Sequence, residues 1–539
     1  MRESTTLQEP FQSAVLGRSF QRHLPSAVRG RGVYVWDSEG KQYLDFSGSA
    51  AVNFIGHGLA EISAAMAEQM ANLEFVHSSQ FTTPVAEEYA QELLDFAGAK
   101  FSGGRVYFTS GGSEAIETAL KLARQYQLEI GQGKRYKVLS RDQSYHGSTL
   151  GALAVSGNRR RREIYLPMVR EFVHMGAPYC YRCAYGCKDC ARLYSAELER
   201  AIEISDGEPA AFIFEPVSGA TLGAAVPPEG YVQQIAEICK RHGVVLIADE
   251  VMTGMGRTGS NFAVGRWGVV PDILVTAKGL SSGYAPLGAV IASPEVANAI
   301  AAGSGSFVHG FTYNAHPVSL AAGRAVLRHL QIRNLVQAAN SAQQGTTAAK
   351  LCRCLNTLRD SNVIGDVRGI GLLWGIEFVA EKSSKLPFAP ELKFAERVAQ
   401  AAAKRGVLVY PVQGCVDGLS GDHLLIAPAA ITTDGRAWRG GTRQCGCDLV
   451  HCRRQRRSDL WRSKRNRQQA RRDLGHCGTT PQFEKHWPRQ PEALCSFFSS
   501  ALRRECHRPQ SRRRGCERTT EVCVGTVASL LPGADRKPS

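Results

Sequence analysis

Short apolar runs alternate with amphipathic stretches along the first 435 residues. Residues 33–46 (VYVWDSEGKQYLDF) alternate apolar and polar positions about Glu39-Gly40, the pattern of a hairpin with a central turn. Six later runs have the length and β-branched content of strands: 105–109, 137–139, 211–215, 244–248, 272–277 and 287–292. Helical periodicity falls between several of them, over 113–126 and 231–242. This alternation predicts an α/β fold with a mainly parallel sheet covered by helices on both faces.

Beyond residue 315 the texture changes to a long helix (317–331), a strand (371–379), a further helix and a strand at 407–410. A large domain over 56–314 and a smaller α/β domain over 315–434 are predicted, with the N-terminal segment 1–55 packing against the smaller one. At about residue 435 the pattern fails. CRRQRRSDLWRSKRNRQQARRDLGHC has no sustained apolar period, and the Arg- and Cys-rich tail 435–539 is not expected to fold.

Composition changes the picture in three places. Hydrophobic residues at 43% and charged residues at 21% are ordinary for a globular protein. The longest aliphatic runs, such as 244–248, are too short to cross a bilayer. The N-terminal MRESTTLQEPFQ has no basic region followed by an apolar stretch, so no secretory signal is expected and the cytoplasm is favoured. The net charge of +16 suggests nucleic acid, but 24 Lys and Arg face only 9 Asp and Glu after residue 435. The body is nearly neutral, so no nucleic-acid partner is expected for it, and such a role would belong to the tail alone. Half of the 16 cysteines also fall in the tail, and their number without a signal argues for reduced thiols.

Candidate chemistry follows the strand ends. In an open parallel sheet these ends line one edge, where a single ligand meets all of them. Ser110-Gly111-Gly112-Ser113 sits between a strand and the helix EAIETALKLARQY, where unpaired N–H groups suit a phosphate. A serine-capped glycine turn is the plainer reading. Asp249-Glu250 follows VVLIA, and an acid there is often only a cap or ion-pair partner. Lys278 follows DILVTA; an ammonium leaving a buried strand is costly, and desolvation makes it a usable amine nucleophile.

Six segments then occur in order: SGGSEAIETALKLARQY, SYHGSTLGALAVSG, FIFEPVSGATLG, LIADEVMTGMGRTG, DILVTAKGLSSGYAPLGAV and HGFTYNAHPVSLAA. Over residues 15–434 the chain resembles the class III aminotransferases, the fold type I group that includes the omega-transaminases. The resemblance implies pyridoxal 5'-phosphate as cofactor. It implies that Lys278 holds the cofactor and shuttles the substrate proton, and that Asp249 pairs with the pyridinium nitrogen. Gly112 and Ser113 are then the phosphate site, Tyr145 and Val251 lie against the two ring faces, and Glu215 and Phe54 lie near the substrate. Thr312 resembles a threonine that reaches the phosphate from the neighbouring subunit, which implies a homodimer with shared active sites. Core packing is the plainer role for Tyr145 and Val251, and His146 and His309 fit structural or chemical roles equally.

The resemblance also carries departures. Relatives acting on amino-acid carboxylates usually have an arginine in a late R-x-A-P-P motif, where HLLIAPAAIT places Leu425. This favours an omega-amine or omega-amino acid donor with a keto acid such as pyruvate as acceptor. Ala51 replaces a tryptophan of some amine transaminases, which suggests a roomier pocket. An aminomutase or racemase using the same lysine is the nearest alternative. An inactive chain that keeps the fold is a further one.

The family's small domain normally ends with a helix soon after the motif at Ile431-Thr432-Thr433-Asp434, and none follows here. A shifted reading frame is the favoured origin of the tail, ahead of a disordered basic extension. A metal module using Cys445, Cys447, His451 and Cys452 ranks last, because those ligands are crowded. Cys180, Cys183, Cys187 and Cys190 form C-x2-C-x3-C-x2-C. The three-residue spacer is short for a zinc ribbon, so a surface loop of reduced cysteines without metal is favoured.

Overall fold

The computed structural model describes residues 14–19, 24–186 and 188–432. Cys187 and the readings placed on the tail lie outside the described residues.

The described chain opens with β1 (Ala27–Arg31), β2 (Tyr34–Asp37) and β3 (Gln42–Asp45). β2 and β3 form the expected hairpin, with Tyr34 opposite Leu44. Asp37 builds its turn by accepting the backbone N–H groups of Glu39 and Lys41 on Oδ1. β1 adds antiparallel to β2. Its sequence AVRGR has no apolar alternation because the strand is almost wholly exposed, so pattern alone does not reveal it.

The central sheet contains β4 (Arg105–Thr109), β5 (Lys137–Arg141), β6 (His174–Met175), β7 (Pro209–Phe214), β8 (Val245–Asp249), β9 (Ile273–Thr276) and β10 (Gly288–Ala292). Their spatial order is β4-β10-β9-β8-β7-β5-β6. Neighbours from β9 to β6 run parallel. β10 runs antiparallel to both β4 and β9. Every residue of β7 to β10 is buried. That requires near-continuous apolar sequence, since helices cover both faces.

The helix Gly112–Glu129 shows how the cover is built. Ala115, Ile116, Ala119, Leu122 and Ala123 form one stripe that packs on Val138, Ile213, Ile247, Val275 and Val290. The alanines, spaced four apart, let the helix approach the sheet closely. Each larger side chain buried there contributes about 1.5–3 kcal/mol.

The last strands are β11 (Ile364–Ile370), β12 (Leu373–Phe378), β13 (Val407–Leu408), β14 (Tyr410–Gln413) and β15 (Asp422–Ile426). β11, β12, β15 and β14 form an antiparallel sheet in that order. The run 407–410, expected as one strand, divides at Val409. β13 pairs parallel with β3, Val407 opposite Leu44, whereas β14 pairs with β15. A strand edge carries one set of hydrogen bonds on each side, so the chain changes sheets there. Among the described residues no helix is long and apolar enough to cross a membrane.

Candidate active site

Strand direction decides what meets at the sheet edge. β7, β8 and β9 run parallel side by side, so Glu215, Asp249 and Lys278 emerge together. β4 is antiparallel to β10, which is antiparallel to β9, so Thr109 ends at the same edge. A cavity of about 580 Å³ opens there, lined by Gly112, Ser113, Tyr145, Glu215, Asp249, Val251 and Lys278.

Lys278 leaves β9 with φ +46°, an unusual backbone conformation for a residue with a Cβ. Burial pushes its ammonium down to about 8, against the opposing pull of Asp249 and Glu215. Asp249 Oδ2 lies 2.7 Å from His146 Nδ1, and its Oδ1 accepts the backbone N–H of Val251 at 3.0 Å. Both side chains are almost fully buried. His146 therefore orients the carboxylate, a positioning role that the sequence left undecided. Glu215 accepts the N–H groups of Gly219 (2.9 Å) and Tyr145 (3.2 Å), and burial raises its pKa.

The helix Gly112–Glu129 begins at the cavity wall, and among the described residues no side chain caps it. Its first-turn N–H groups are thus open to an anion. A Cβ at Gly112 would lie 3.2 Å from Val251 Cγ1, so glycine lets the two segments close on each other. Ser113 Oγ accepts the N–H of Ser148 at 3.1 Å, which joins this turn to the segment carrying Tyr145. A buried amine, an oriented carboxylate and an uncapped helix start on one cavity fit the aldehyde, ring nitrogen and phosphate of pyridoxal phosphate.

Phe54, expected near the substrate, and Ala51, expected to leave the pocket roomier, do not line this cavity. Phe54 is 1% exposed and lies under Arg257, whose guanidinium carbon is 4.9 Å from the ring centre. Its backbone N–H donates to Ser282 Oγ at 2.8 Å, which turns the ring into the core. Ala51 packs with Val217, Ala224, Ile370, Leu373 and Leu425 in an apolar cluster. Its neighbours Ala50 and Val52 line the wall instead. Thr312 is exposed and is not among the lining residues of its own chain.

Sequence reasoning missed Arg161 and Tyr410, which both line the cavity. Arg161 hides in the run Arg159–Arg162, which reads as a solvated charge cluster, and Tyr410 reads as ordinary strand. Among the described residues no group of three or more His, Cys, Asp or Glu is placed to hold a metal. Cys183 Sγ and Cys190 Sγ lie 3.1 Å apart. The expectation of reduced thiols fails at Cys354, which is disulfide-bonded.

The sheet, with lysine, carboxylate and anion cradle at one edge, defines a fold type I pyridoxal-phosphate transferase. The family model "Aminotransferase class-III" matches residues 18–428. An uncharacterized aminotransferase, YodT of Bacillus subtilis (strain 168), is 40% identical over 413 residues, covering 76% of this chain and 92% of that protein. The crystal structure of a thermostable (S)-enantioselective omega-transaminase from Thermomicrobium roseum matches with TM-score 0.71 and 39% identity. It covers 77% of this chain and 89% of that one. An amine transaminase from an uncultivated Pseudomonas species, solved in a PLP-bound form, matches with TM-score 0.71 and 33% identity, covering 79% and 94%. The chain belongs to the class III aminotransferases, and its cofactor is pyridoxal 5'-phosphate.

Proposed function

We propose that this aminotransferase moves an amino group from an omega-amine or omega-amino acid to a keto acid such as pyruvate. We propose further that it works in the cytoplasm as a homodimer, with Thr312 of the partner subunit completing the phosphate site. The observation carrying the donor class is Leu425, which is fully buried within β15 and packs in the apolar cluster of Ala51 and Ala427. That position of β15 carries a leucine and so offers no cation to a donor's carboxylate. The exposed position of Thr312 leaves it available to a second copy.

In this reading Gly112 and Ser113 hold the cofactor phosphate, Tyr145 and Val251 lie against the ring, and Asp249, fixed by His146, faces the ring nitrogen. The cofactor supplies the electron sink that makes the substrate carbon acidic. Lys278 Nζ holds the cofactor in the resting enzyme, then takes the proton from the donor carbon and returns it. Glu215 borders the donor. A panel of amines with pyruvate tests the reading, with alanine followed by chromatography. Alanine formation from omega-amines is the expected result. Isomerised amino acid without alanine would assign an aminomutase or racemase instead.

The depressed amine predicts a pH profile. Covalent capture of pyridoxal phosphate by cofactor-stripped protein needs the neutral amine. Its rate should rise about tenfold per pH unit below pH 8 and level off above it, because ionisation near 8 sets the neutral fraction. An ordinary lysine would keep gaining to beyond pH 10. Absorbance after mixing reads the difference.

A further inference from the structure

We propose that Arg161, which lines the cavity of Lys278 where Leu425 does not, is the carboxylate-binding residue for the keto-acid acceptor. The inference rests on the transaminase reading above and adds an anion subsite to it.

Arg161 is half-buried and lines the same cavity as Lys278. Its guanidinium carbon lies 4.2 Å from the centre of the Tyr145 ring. Stacking of this kind holds the planar group while leaving its in-plane N–H donors available. Among the described residues the guanidinium makes no hydrogen bond or ion pair, whereas Arg159 pairs with Glu163 and Arg160 donates to Gln413. Its charge is felt at Lys278, where it disfavours the ammonium. The two carboxylates of the cavity do not consume it: Asp249 is held by His146, and Glu215 is met by two backbone N–H groups.

The backbone beneath Arg161 is fixed. The N–H of Arg161 donates to Asn158 Oδ1 at 3.2 Å. Asn158 and Gly157 donate in turn to the carbonyl and hydroxyl oxygens of Ser144, and His146 donates to Ser156 Oγ. Residues 156–161 are thereby laced onto the strip that carries Tyr145. Any side chain at Gly157 would collide with the backbone oxygen of Arg141, so the two segments meet without a gap. A fixed, stacked arginine with spare donors in a cavity suits a planar carboxylate, which it meets through paired N–H···O bonds. The ligand class is a small 2-keto carboxylate. Arg18 also lines the cavity but is exposed, and screening weakens its hold.

The test compares pyruvate with propanal, an acceptor that lacks the carboxylate, on the holoenzyme. Arg161→Gln should lower the ratio of kcat/KM for pyruvate over propanal on the order of 10- to 100-fold, the worth of a charge-assisted hydrogen-bonded contact. Arg161→Lys should restore part of it, and Arg159→Gln should leave the ratio unchanged. Calorimetric titration with 3-phenylpropionate, a carboxylate that cannot react, provides a readout without turnover, and Arg161→Gln should weaken it by a similar factor. Retained cofactor absorbance shows that the variant is folded. A ratio and an affinity that both survive Arg161→Gln, or that collapse only in Arg18→Gln, overturn the assignment. Should the unaltered enzyme turn over no keto acid, the transaminase reading fails by itself, and the titration still decides the subsite.

Discussion

Lys278→Ala is expected to abolish borohydride-trappable cofactor and to lower turnover by more than about 10⁴-fold, the upper end of what one positioned proton-transfer group contributes. In the proposed mechanism the amine does two jobs in one place, attachment and proton transfer, and among the described residues no other lysine lines the cavity. The variant should still bind the cofactor without a covalent bond, because Gly112, Ser113 and Asp249 are untouched. Peptide mapping after reduction reads attachment, and dialysis reads residual binding. The same change is expected to stabilise the cofactor-free protein at neutral pH. The folded-state pKa of Lys278, about 8, lies below the ordinary 10.5. Between these values the unfolded chain binds more protons, so stability rises with pH there, and below pH 8 the penalty for a buried ammonium is fully present. The variant should melt higher at pH 7 and should lose that rise between pH 8 and 10.5. Trappable cofactor in the variant, or a melting temperature at pH 7 that falls, would count against Lys278 as the buried amine.

The second large effect is on stability. Arg257 is 2% exposed, and burial pushes its guanidinium down to about 9. It donates to the carbonyls of Pro428 (2.6 Å), Ala427 (3.0 Å), Asn53 (3.1 Å), Ala51 (3.4 Å) and Leu372 (3.5 Å). One side chain thus ties the segment after β15 to the segment after β3, and it stacks on Phe54. Arg257→Met keeps the length and removes the donors. Several carbonyls then lose their partner in a place that water does not reach. The expected cost is about 3 kcal/mol, allowing for relief of the desolvated charge. Urea denaturation of the cofactor-free protein measures it. Arg257→Lys should be milder, because an ammonium has three donors in place of a five-donor fork. An unfolding midpoint in Arg257→Met equal to that of the unaltered chain would show that the carbonyls find other partners.

The elements read most directly were those buried on two faces. The strands at β4 and β7 to β10 were recognised to within a few residues, and the helix Tyr231–His242 to the residue. Burial forces composition in such places, so composition reports burial. β1 escaped because it is exposed, and the division at Val409 escaped because two sheets ask for the same apolar residues. Lys278, Asp249 and Glu215 were legible because each ends an apolar run with a charge, which a strand tolerates only for a reason. That Phe54 and Ala51 do not line the cavity was not legible, for a related cause. Sequence says that they lie beside the cavity wall, but only the left-handed turn at Ser49–Ala51 and the Ser282 bond decide which neighbours face it.

The chain's amino-acid order alone determined that a parallel α/β sheet forms, that a lysine and an acid leave it at strand ends, and that a glycine-rich turn starts a helix nearby. These are local facts, written in periodicity and in charges that apolar runs do not accept without function. Tertiary structure alone decided that β10 runs against its neighbours, that His146 holds Asp249, and that Arg161 leaves its run of arginines to stack on Tyr145. Those outcomes depend on which segments, far apart in the chain, compete for the same hydrogen bonds and the same dry space. No window of sequence contains that competition.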